Sequence, residues 1–490
     1  MTEPPHAGLD WTATAAGRKM GQPMRQRTER DPVKGTRGRC TAIVSTMVLA
    51  LLASIAGAVP ALAAGPQGPS PQSYTLGLTW DATTHKLSGT ESVTFTNDRV
   101  ASMSIAYFRL WPNSSEYAGS CTKQFIAVSN VTGGTPGALQ VACTVLPVTL
   151  PTALATGQSA TISLSFVDSV PKNHQRFGYD GNYVNLATAF PILAVTDDRG
   201  THLETPPLLG EGQYSLTSSF NVTLTIPAGM DAATTGVATS TTVLPDGRKQ
   251  LVIAAPTSRD FEAAIGPYTI FTTTVDGVLL RYFQQQGASV PASTVLNNWA
   301  AGSFAYYTSH YGPWYGTELD IAGEPGTFLD QGMEYPELIM TELVQSTVTH
   351  EVGHMWFYAM VGNSQYTEPW LDETLTEFSS ERYLGTNLNC NVTNPFGKLN
   401  YALDDSMATY DPLGNKYFTI IYTDGPCAIE RLRRDWGDTL FDQMMKDYVA
   451  TYRLGVATTA GWKSEVRKYA PPGYNVDAYF AFAHLTTWPG

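Results

Sequence analysis

The stretch TELVQSTVTHEVGHMWFYAMVGNSQYTEPWLDETLTEF, residues 341–378, decides the fold of the second half of this chain. Apolar residues recur in it at four-residue intervals, at Val344, Val348, Val352 and Trp356. This spacing predicts the apolar face of a helix that ends near Gly362. A second helix is predicted from Trp370 to Leu384, because Pro369 and Gly385 are suitable terminators at its two ends.

Two histidines on the first predicted helix have the spacing of metal ligands. His350 and His354 are four residues apart, so both imidazoles lie on one face and reach a single cation. Glu351 lies next to the first histidine, where it acts on water rather than binding the metal. A catalytic zinc site needs a third protein ligand. Glu373 supplies it, because 18 residues separate it from His354 and a short loop would fold it back onto the histidines.

These motifs carry a family resemblance. The pattern H-E-x-x-H, 18 residues and then Glu, with WLDE at residues 370–373, resembles the M1 family of zinc aminopeptidases. Thermolysin-like peptidases have one residue more before the glutamate and fit less well. The segment QGMEYP, residues 331–336, is similar to the exopeptidase motif of bacterial members, and IYTDG, residues 421–425, resembles their tyrosine segment. The segments FPILAV and RDF, residues 190–195 and 259–261, extend the resemblance weakly into the first half.

The resemblance implies a role for each matched residue. It implies one Zn²⁺ per chain, held by His350, His354 and Glu373, with Glu351 as the general base. It implies a substrate-binding segment of Gly332, Met333 and Glu334, in which Glu334 pairs with the free α-ammonium group. Tyr422 is the expected transition-state contact. Because Asp424 replaces the basic residue that follows this tyrosine in the family, Tyr417 is the alternative. Gln331 and Thr374 also depart from the family pattern, with expected effects on packing alone.

Three functions are compatible with these residues. The first is a zinc aminopeptidase that removes N-terminal amino acids from peptides. The second is another metallohydrolase, either an endopeptidase or an epoxide hydrolase. The third is a non-enzymatic scaffold with the same fold, which the complete zinc ligands and the intact Glu351 disfavour. The chain ends at Gly490, so we expect the large C-terminal helical domain of many M1 enzymes to be absent.

The first half of the chain predicts strands rather than helices. Apolar residues alternate with polar ones in TISLSF, residues 161–166, and in FNVTLTI, residues 220–226. Such alternation is typical of antiparallel strands with one buried face. We therefore predict a multidomain α and β fold. An all-β domain covers residues 74–271, and a mainly α domain covers residues 272–490. The family resemblance implies that this second domain is a zinc peptidase domain with a thermolysin-like fold.

The N-terminal segment reads as a secretory leader. Eight basic residues lie between Arg18 and Arg39, and the apolar run at residues 42–59 precedes small residues at Ala61 and Ala63. This order predicts a signal over residues 1–63, cleavage after Ala63 and a linker over residues 64–73. The apolar run approaches spanning length, so an uncleaved membrane anchor is the alternative. Met20 and Met24 are alternative translation starts.

The charge and the cysteines of the chain indicate which partners and which compartment to expect. The 490 residues carry a formal net charge of −13, and removing the leader leaves 22 Lys and Arg against 39 Asp and Glu, or −17. Such a surface excludes nucleic acid as a partner and disfavours stable association with anionic lipid. Peptides with a free N-terminus are the expected partners; the oligomeric state does not follow from the sequence. The four cysteines after the leader allow three pairings. Cys121–Cys143 with Cys390–Cys427 is the simplest in an oxidising, extracellular compartment.

Overall fold

The computed structural model describes residues 67–99, 101–324, 331–386, 390 and 401–486. The predicted leader over residues 1–63, with its cleavage site after Ala63, lies outside these ranges. Within them, no helix has the length and apolar character needed to cross a membrane.

The first half of the described chain consists of strands, as its alternating pattern predicts. Inward-facing residues of these strands are buried and their neighbours face outward, so Ile162, Leu164 and Phe166 lie in one core. The strands, in chain order, are β1 Gln72–Asp81, β2 Lys86–Thr96, β3 Met103–Arg109, β4 Ile126–Thr132, β5 Thr135–Pro136, β6 Val145–Leu154, β7 Ser159–Ser169, β8 Phe177–Asp180, β9 Tyr183–Leu186, β10 Ile192–Leu193, β11 Thr196–Asp197, β12 Gly200–Thr201, β13 Ser218–Ile226, β14 Asp231–Thr234, β15 Val237–Val243, β16 Lys249–Ser258 and β17 Ala263–Gly266.

Two larger sheets pack their apolar faces together in this domain. A seven-stranded sheet has the order β15-β16-β13-β1-β2-β7-β4, and a four-stranded sheet has the order β10-β3-β6-β5. The pairings are antiparallel except for β1 with β13, where Tyr74 lies opposite Phe220 in a parallel register. The rings of these two residues stack at 4.8 Å. A second four-stranded sheet, β14-β17-β9-β8, lies where the first half meets the second.

A mixed five-stranded sheet opens the second half. Its strands are β18 Thr269–Val275, β19 Val278–Gln284, β20 Glu318–Glu324, β21 Gly332–Met333 and β22 Leu338–Glu342. Their order is β18-β19-β20-β22-β21, with β19, β20 and β22 parallel. The boundary predicted from the sequence, between residues 271 and 272, falls inside β18. The short edge strand β21 carries Gly332 and Met333, the second and third residues of the QGMEYP segment.

Helices form the rest of the second half. They are α1 Ala301–Tyr311, α2 Gln345–Gly353, α3 Glu373–Leu384, α4 Met407–Tyr410, α5 Lys416–Thr419, α6 Gly425–Trp436, α7 Asp438–Thr451, α8 Thr459–Tyr469 and α9 Val476–Phe482. Two π-helical segments, Thr294–Ala300 and Ile420–Asp424, precede α1 and α6. Apolar side chains of α1, α2, α3, α6 and α7 share one core, in which Trp356 and Trp370 are fully buried.

The first predicted helix is shorter than its apolar spacing suggests. Val348, Val352 and Trp356 are fully buried as predicted, but Val344 is 46% exposed at the start of α2. The helix ends at Gly353 instead of near Gly362. Beyond it, backbone hydrogen bonds change to other spacings, as from Ala359 N to His354 O. The second helix begins at Glu373 rather than Trp370 and ends before Gly385, whose positive φ closes it.

Both predicted disulfides are present. Cys121 pairs with Cys143 in the β domain, and Cys390 pairs with Cys427 in α6. The second bond ties the chain that follows α3 to the helix that follows the predicted transition-state tyrosine.

Candidate active site

Helices α2 and α3 bring the three predicted zinc ligands together. His350 lies in the last turn of α2, His354 follows its end, and Glu373 is the first residue of α3. The two Nε2 atoms are 3.0 Å apart, and Glu373 Oε2 lies 3.2 Å from that of His350 and 3.4 Å from that of His354. The three side chains are buried or nearly so. The structure therefore places one carboxylate oxygen and two imidazole nitrogens at the corners of a small triangle.

The hydrogen bonds of the two Nδ1 atoms determine which nitrogen of each imidazole carries the hydrogen. His350 Nδ1 lies 2.7 Å from Glu377 Oε2, and His354 Nδ1 lies 3.0 Å from Phe357 O. Because both partners are acceptors, both Nδ1 atoms carry the hydrogen of the neutral ring. Both Nε2 atoms then present lone pairs to each other and to Glu373. Three acceptors this close repel one another unless a cation or a shared proton lies among them.

The distances agree with zinc as that cation. Ligand atoms about 2.0–2.1 Å from a tetrahedral Zn²⁺ lie about 3.3 Å from one another. The three observed separations run from 3.0 to 3.4 Å. Without the metal, a proton takes this place: burial lowers the pKa of His354, but the carboxylate of Glu373 raises it by more, to about 9. Nitrogen and carboxylate donors in this arrangement fit a catalytic zinc site.

Glu351 lies beside the triangle without being part of it. It is 4% exposed, and its Oε2 has no hydrogen-bond partner among the described residues. Burial raises its pKa to about 7, although both histidines lower it. A buried carboxylate oxygen without a partner requires a hydrogen-bond donor, and water is small enough to be that donor. Glu351 thus lies next to the three ligand atoms, and its role as general base stays a prediction.

The predicted substrate-binding segment packs directly on Glu351. A Cβ atom at Gly332 would lie 2.0 Å from Glu351 Oε1, so only glycine leaves room for the carboxylate. Met333 is buried in a separate apolar cluster with Met340 and Tyr335, so its side chain does not join the polar site. Glu334 does join it, since one of its oxygens lies within 4.8 Å of an oxygen of Glu351 and of a nitrogen of His354.

Glu334 is held in a buried, acidic position. It is 4% exposed, and its Oε1 accepts a 2.7 Å hydrogen bond from Gln365 Nε2. Burial raises its pKa to about 7; His354 lowers it, while Glu373 and Glu351 raise it. A buried carboxylate among other carboxylates favours a cation in contact with it. This is the environment that a substrate ammonium group requires.

Tyr422 lies nearer the zinc cluster than Tyr417 does. The ring centroid of Tyr422 is 6.0 Å from that of His350, and Tyr422 belongs to the π-helical segment Ile420–Asp424. Segments of this kind occur often at functional sites. Tyr417 is fully buried, with its ring 6.0 Å behind that of Tyr422 and its hydroxyl against Gly210. Partial exposure leaves Tyr422 accessible to a substrate.

Four residues without a predicted role support this cluster. Glu377 and Phe357 accept hydrogen bonds from the histidines, and Gln365 and Asp372 contact each other next to Glu334. Glu377 lies four residues after Glu373 on the same helix face, so helical spacing could have predicted its place near the zinc ligands. Gln365 lies in the irregular connection between α2 and α3, where the sequence has no period to follow.

The β domain also reaches the site. Arg176 pairs with Glu211 and, at 3.1 Å, with Glu116. Burial raises the pKa of Glu211 to about 8; Arg176 lowers it, and the nearby charge of Glu334 raises it. The side chain of Arg259, from the RDF segment, donates to Tyr358 O at 2.8 Å and lies where a Cβ of Gly362 would be. The contacts of Arg259 fix the chain that follows His354.

Comparison with known proteins agrees with this geometry. The family model described as the peptidase family M1 domain matches residues 333–478, which include His350, His354 and Glu373. Aminopeptidase B of Mus musculus is 26% identical over 219 residues, 36% of this chain and 33% of that relative. Probable M1 family aminopeptidase 1 of Encephalitozoon cuniculi is 27% identical over 143 residues, 26% of this chain and 17% of the relative. The match therefore spans a third or less of these relatives' length.

Solved structures share the fold over most of the chain. An M1 zinc metallopeptidase from Deinococcus radiodurans has a TM-score of 0.63 at 17% identity, covering 87% of this chain and 96% of its own. A variant of an M1 zinc metallopeptidase from that organism, bound to a Tyr-Ser-Ala substrate, has a TM-score of 0.60 at 18% identity, covering 86% and 95%. At such identities the likeness concerns the fold. The β domain followed by the helical domain is therefore an arrangement shared with these enzymes.

Proposed function

We propose that this chain, which carries a peptidase family M1 domain over residues 333–478, is a secreted zinc aminopeptidase. It would remove single residues from the N-termini of peptides. The observation that carries the proposal is the adjacency of two groups. One is the His350, His354 and Glu373 triangle, and the other is the buried carboxylate of Glu334, within 4.8 Å of His354. A peptide whose terminal ammonium contacts Glu334 presents its first peptide bond to the triangle.

The three triangle residues would hold the metal. When bound, zinc supplies Lewis acidity that polarises the scissile carbonyl and acidifies water. Glu377 supports this role by keeping the hydrogen of His350 on Nδ1, and the Phe357 carbonyl does the same for His354. Each imidazole therefore faces the cation with a lone pair and needs no proton rearrangement before binding.

Glu351 is the proposed general base. Its carboxylate is buried and lies beside the first zinc ligand. A carboxylate in this place can accept a proton from water and return it to the leaving amine. The tight contact with Gly332 limits how far the carboxylate can rotate away.

Glu334 is the proposed anchor for the free N-terminus. An unpaired ammonium group in a closed site is costly, so the site must offer it a carboxylate. Glu334 is buried, is not a member of the zinc triangle and already has one oxygen occupied by Gln365. Its other oxygen has no hydrogen bond to a residue of the described chain that would compete with the substrate.

Tyr422 is the proposed donor to the oxyanion that forms during attack. A hydroxyl at this place stabilises negative charge on the former carbonyl oxygen. Its ring lies against His350 and remains partly exposed, whereas Tyr417 is sealed behind it. Access by substrate therefore favours Tyr422 for this role.

Secretion is part of the proposal. It is supported by the basic, apolar and small-residue order of the leader over residues 1–63. Two disulfides in the described chain suit an oxidising compartment. Cleavage after Ala63 would leave a mature protein that begins near Ala64, and N-terminal sequencing of secreted protein checks this.

The test of the activity uses an aminoacyl fluorogenic substrate and its N-acetylated twin. The zinc-loaded protein should cleave the free substrate and cleave the acetylated one poorly. Glu334→Ala should keep one zinc per chain and lower kcat/KM for the free substrate about 10²-fold or more, since a buried charge partner is lost. The variant should lose little further on the acetylated twin. Equal cleavage of both substrates by the unmodified protein would favour an endopeptidase.

A further inference from the structure

Gln365 is a buried glutamine in the irregular connection between α2 and α3. It is 1% exposed, and its side-chain amide lies between two carboxylates. Nε2 donates to Glu334 Oε1 at 2.7 Å and to Asp372 Oδ2 at 2.8 Å. Both hydrogens of the amide nitrogen are therefore used, one on each acid.

The chemistry of the neighbours fixes the orientation of this amide. A side-chain amide has one end that donates and one that accepts. Rotation by 180° would place Oε1 against two carboxylate oxygens and remove both hydrogen bonds. Glu334 and Asp372 thus hold Gln365 in one orientation, and Gln365 in turn holds them.

Further hydrogen bonds hold the backbone of Gln365 and the side chain of Asp372 in place. Its backbone N–H donates to Gln213 O at 3.1 Å, which ties the connection to the β domain next to Glu211. Asp372 also accepts from Asn363 Nδ2 at 2.9 Å, so its carboxylate has a second fixed donor. The amide of Gln365 is therefore a rigid bridge from Asp372, beside the third zinc ligand, to Glu334.

Glu334 needs such a bridge because its surroundings repel it. Oxygens of Glu334, Asp372 and Glu373 lie within 4.8 Å of one another. Carboxylates at this separation repel one another unless donors lie between them. A carboxylate that turned away would no longer meet an ammonium group next to the zinc triangle.

We propose that Gln365 is a positioning residue that orients Glu334 toward the substrate's free ammonium group by bridging it to Asp372. In this role Gln365 sets the preference for free over blocked N-termini, although it does not touch the reacting atoms. The inference rests on the proposed aminopeptidase function. It adds a residue that the exopeptidase motif does not contain.

Two substitutions test the inference. Gln365→Met keeps the length of the side chain without donors, and Gln365→Glu keeps its shape but replaces the donors with a third carboxylate. The matched control is Gln285→Met, which removes a buried glutamine amide just after β19. Each zinc-loaded protein is assayed on the aminoacyl substrate and its N-acetylated twin, with zinc content and thermal unfolding measured on the same samples.

Gln365→Met should raise KM for the free substrate about 10- to 100-fold, because a hydrogen bond to a charged group is lost. Its kcat should fall less than about threefold, since none of the zinc ligands or Glu351 has lost a contact. Activity on the acetylated twin and the content of one zinc per chain should not change. Gln365→Glu should raise KM at least as much, and Gln285→Met should leave both constants within about twofold.

The outcomes separate this inference from the proposed function. If Gln365→Met keeps KM within twofold while Glu334→Ala loses 10²-fold, Glu334 needs no positioning and the inference is wrong. If Glu334→Ala itself has no effect on the free substrate, the aminopeptidase proposal is wrong instead. Loss of zinc or of cooperative unfolding in both Gln365 variants would make the residue structural and would also overturn the inference.

Discussion

The hydrogen bond from His350 to Glu377 gives a prediction about zinc affinity. His350 Nδ1 and Glu377 Oε2 are 2.7 Å apart, the length of a charge-assisted hydrogen bond. Replacing Glu377 by leucine removes the acceptor, so the ring can carry its hydrogen on either nitrogen and rotates more freely. Zinc binding must then fix both tautomer and orientation. Glu377→Leu should therefore bind zinc more weakly without losing a ligand.

The size of the effect follows from the contact. A hydrogen bond to a charged group contributes about 1.5–3 kcal/mol. The Glu377 side chain is 24% exposed, and water screens it partly, so we expect the lower part of that range, about 1.5–2 kcal/mol. At about 1.4 kcal/mol per tenfold, the Kd for zinc should rise about 10- to 30-fold. Glu377→Gln keeps a neutral acceptor and should raise the Kd only about threefold to tenfold.

Competition for zinc against a fluorescent chelator measures this Kd directly. Asp246→Asn is the control, because it removes one unit of charge from the exposed turn between β15 and β16. The control should match the unmodified protein, and saturating zinc should restore kcat in both Glu377 variants. A Kd for Glu377→Leu within twofold of the unmodified protein would refute the role assigned to this hydrogen bond.

Three further changes probe the remaining groups. Glu351→Gln should keep one zinc per chain and lower kcat about 10²- to 10⁴-fold, as metal analysis and steady-state kinetics will show; activity within threefold would exclude Glu351 as the base. Tyr422→Phe should lower kcat about 10²- to 10³-fold with little change in KM. A larger fall of kcat in Tyr417→Phe would show that Tyr417, not Tyr422, donates to the oxyanion. Burial raises the pKa of Glu324 to about 8, so its ionised form destabilises the fold increasingly from about pH 4.5 to above pH 8. Glu324→Gln should therefore unfold at a higher temperature than the unmodified protein at pH 9, with little difference at pH 5; equal melting temperatures at both would contradict the shift.

The zinc cluster was predictable because its signal is local. His350 and His354 share a helix face, and Glu373 lies on the next helix, so spacing alone brings them within reach. The alternation in residues 161–166 likewise predicts strands, because a strand with one buried face has a period of two. Family resemblance added Glu334 and Tyr422, which no periodicity marks.

Other features depend on long-range contacts that the sequence does not display. Two contacts lie just beyond the end of α2 at Gly353. His354 Nδ1 donates a hydrogen bond to Phe357 O, and Arg259 of the β domain donates one to Tyr358 O, 99 residues later in the chain. Apolar spacing continues past Gly353 and therefore overestimates the helix. Gln365 meets Glu334 from 31 residues away in a segment without regular structure. Only the folded chain shows that contact.

Cleavage of one peptide and its N-acetylated twin by the zinc-loaded protein is the most direct test of aminopeptidase activity. Mass spectrometry over time would record which residues leave each peptide. Glu334 and the zinc triangle predict successive loss of single N-terminal residues from the free peptide and no loss from the acetylated one. When the metal is removed, neither peptide should be cleaved. Internal cleavage of both peptides at similar rates would contradict an aminopeptidase.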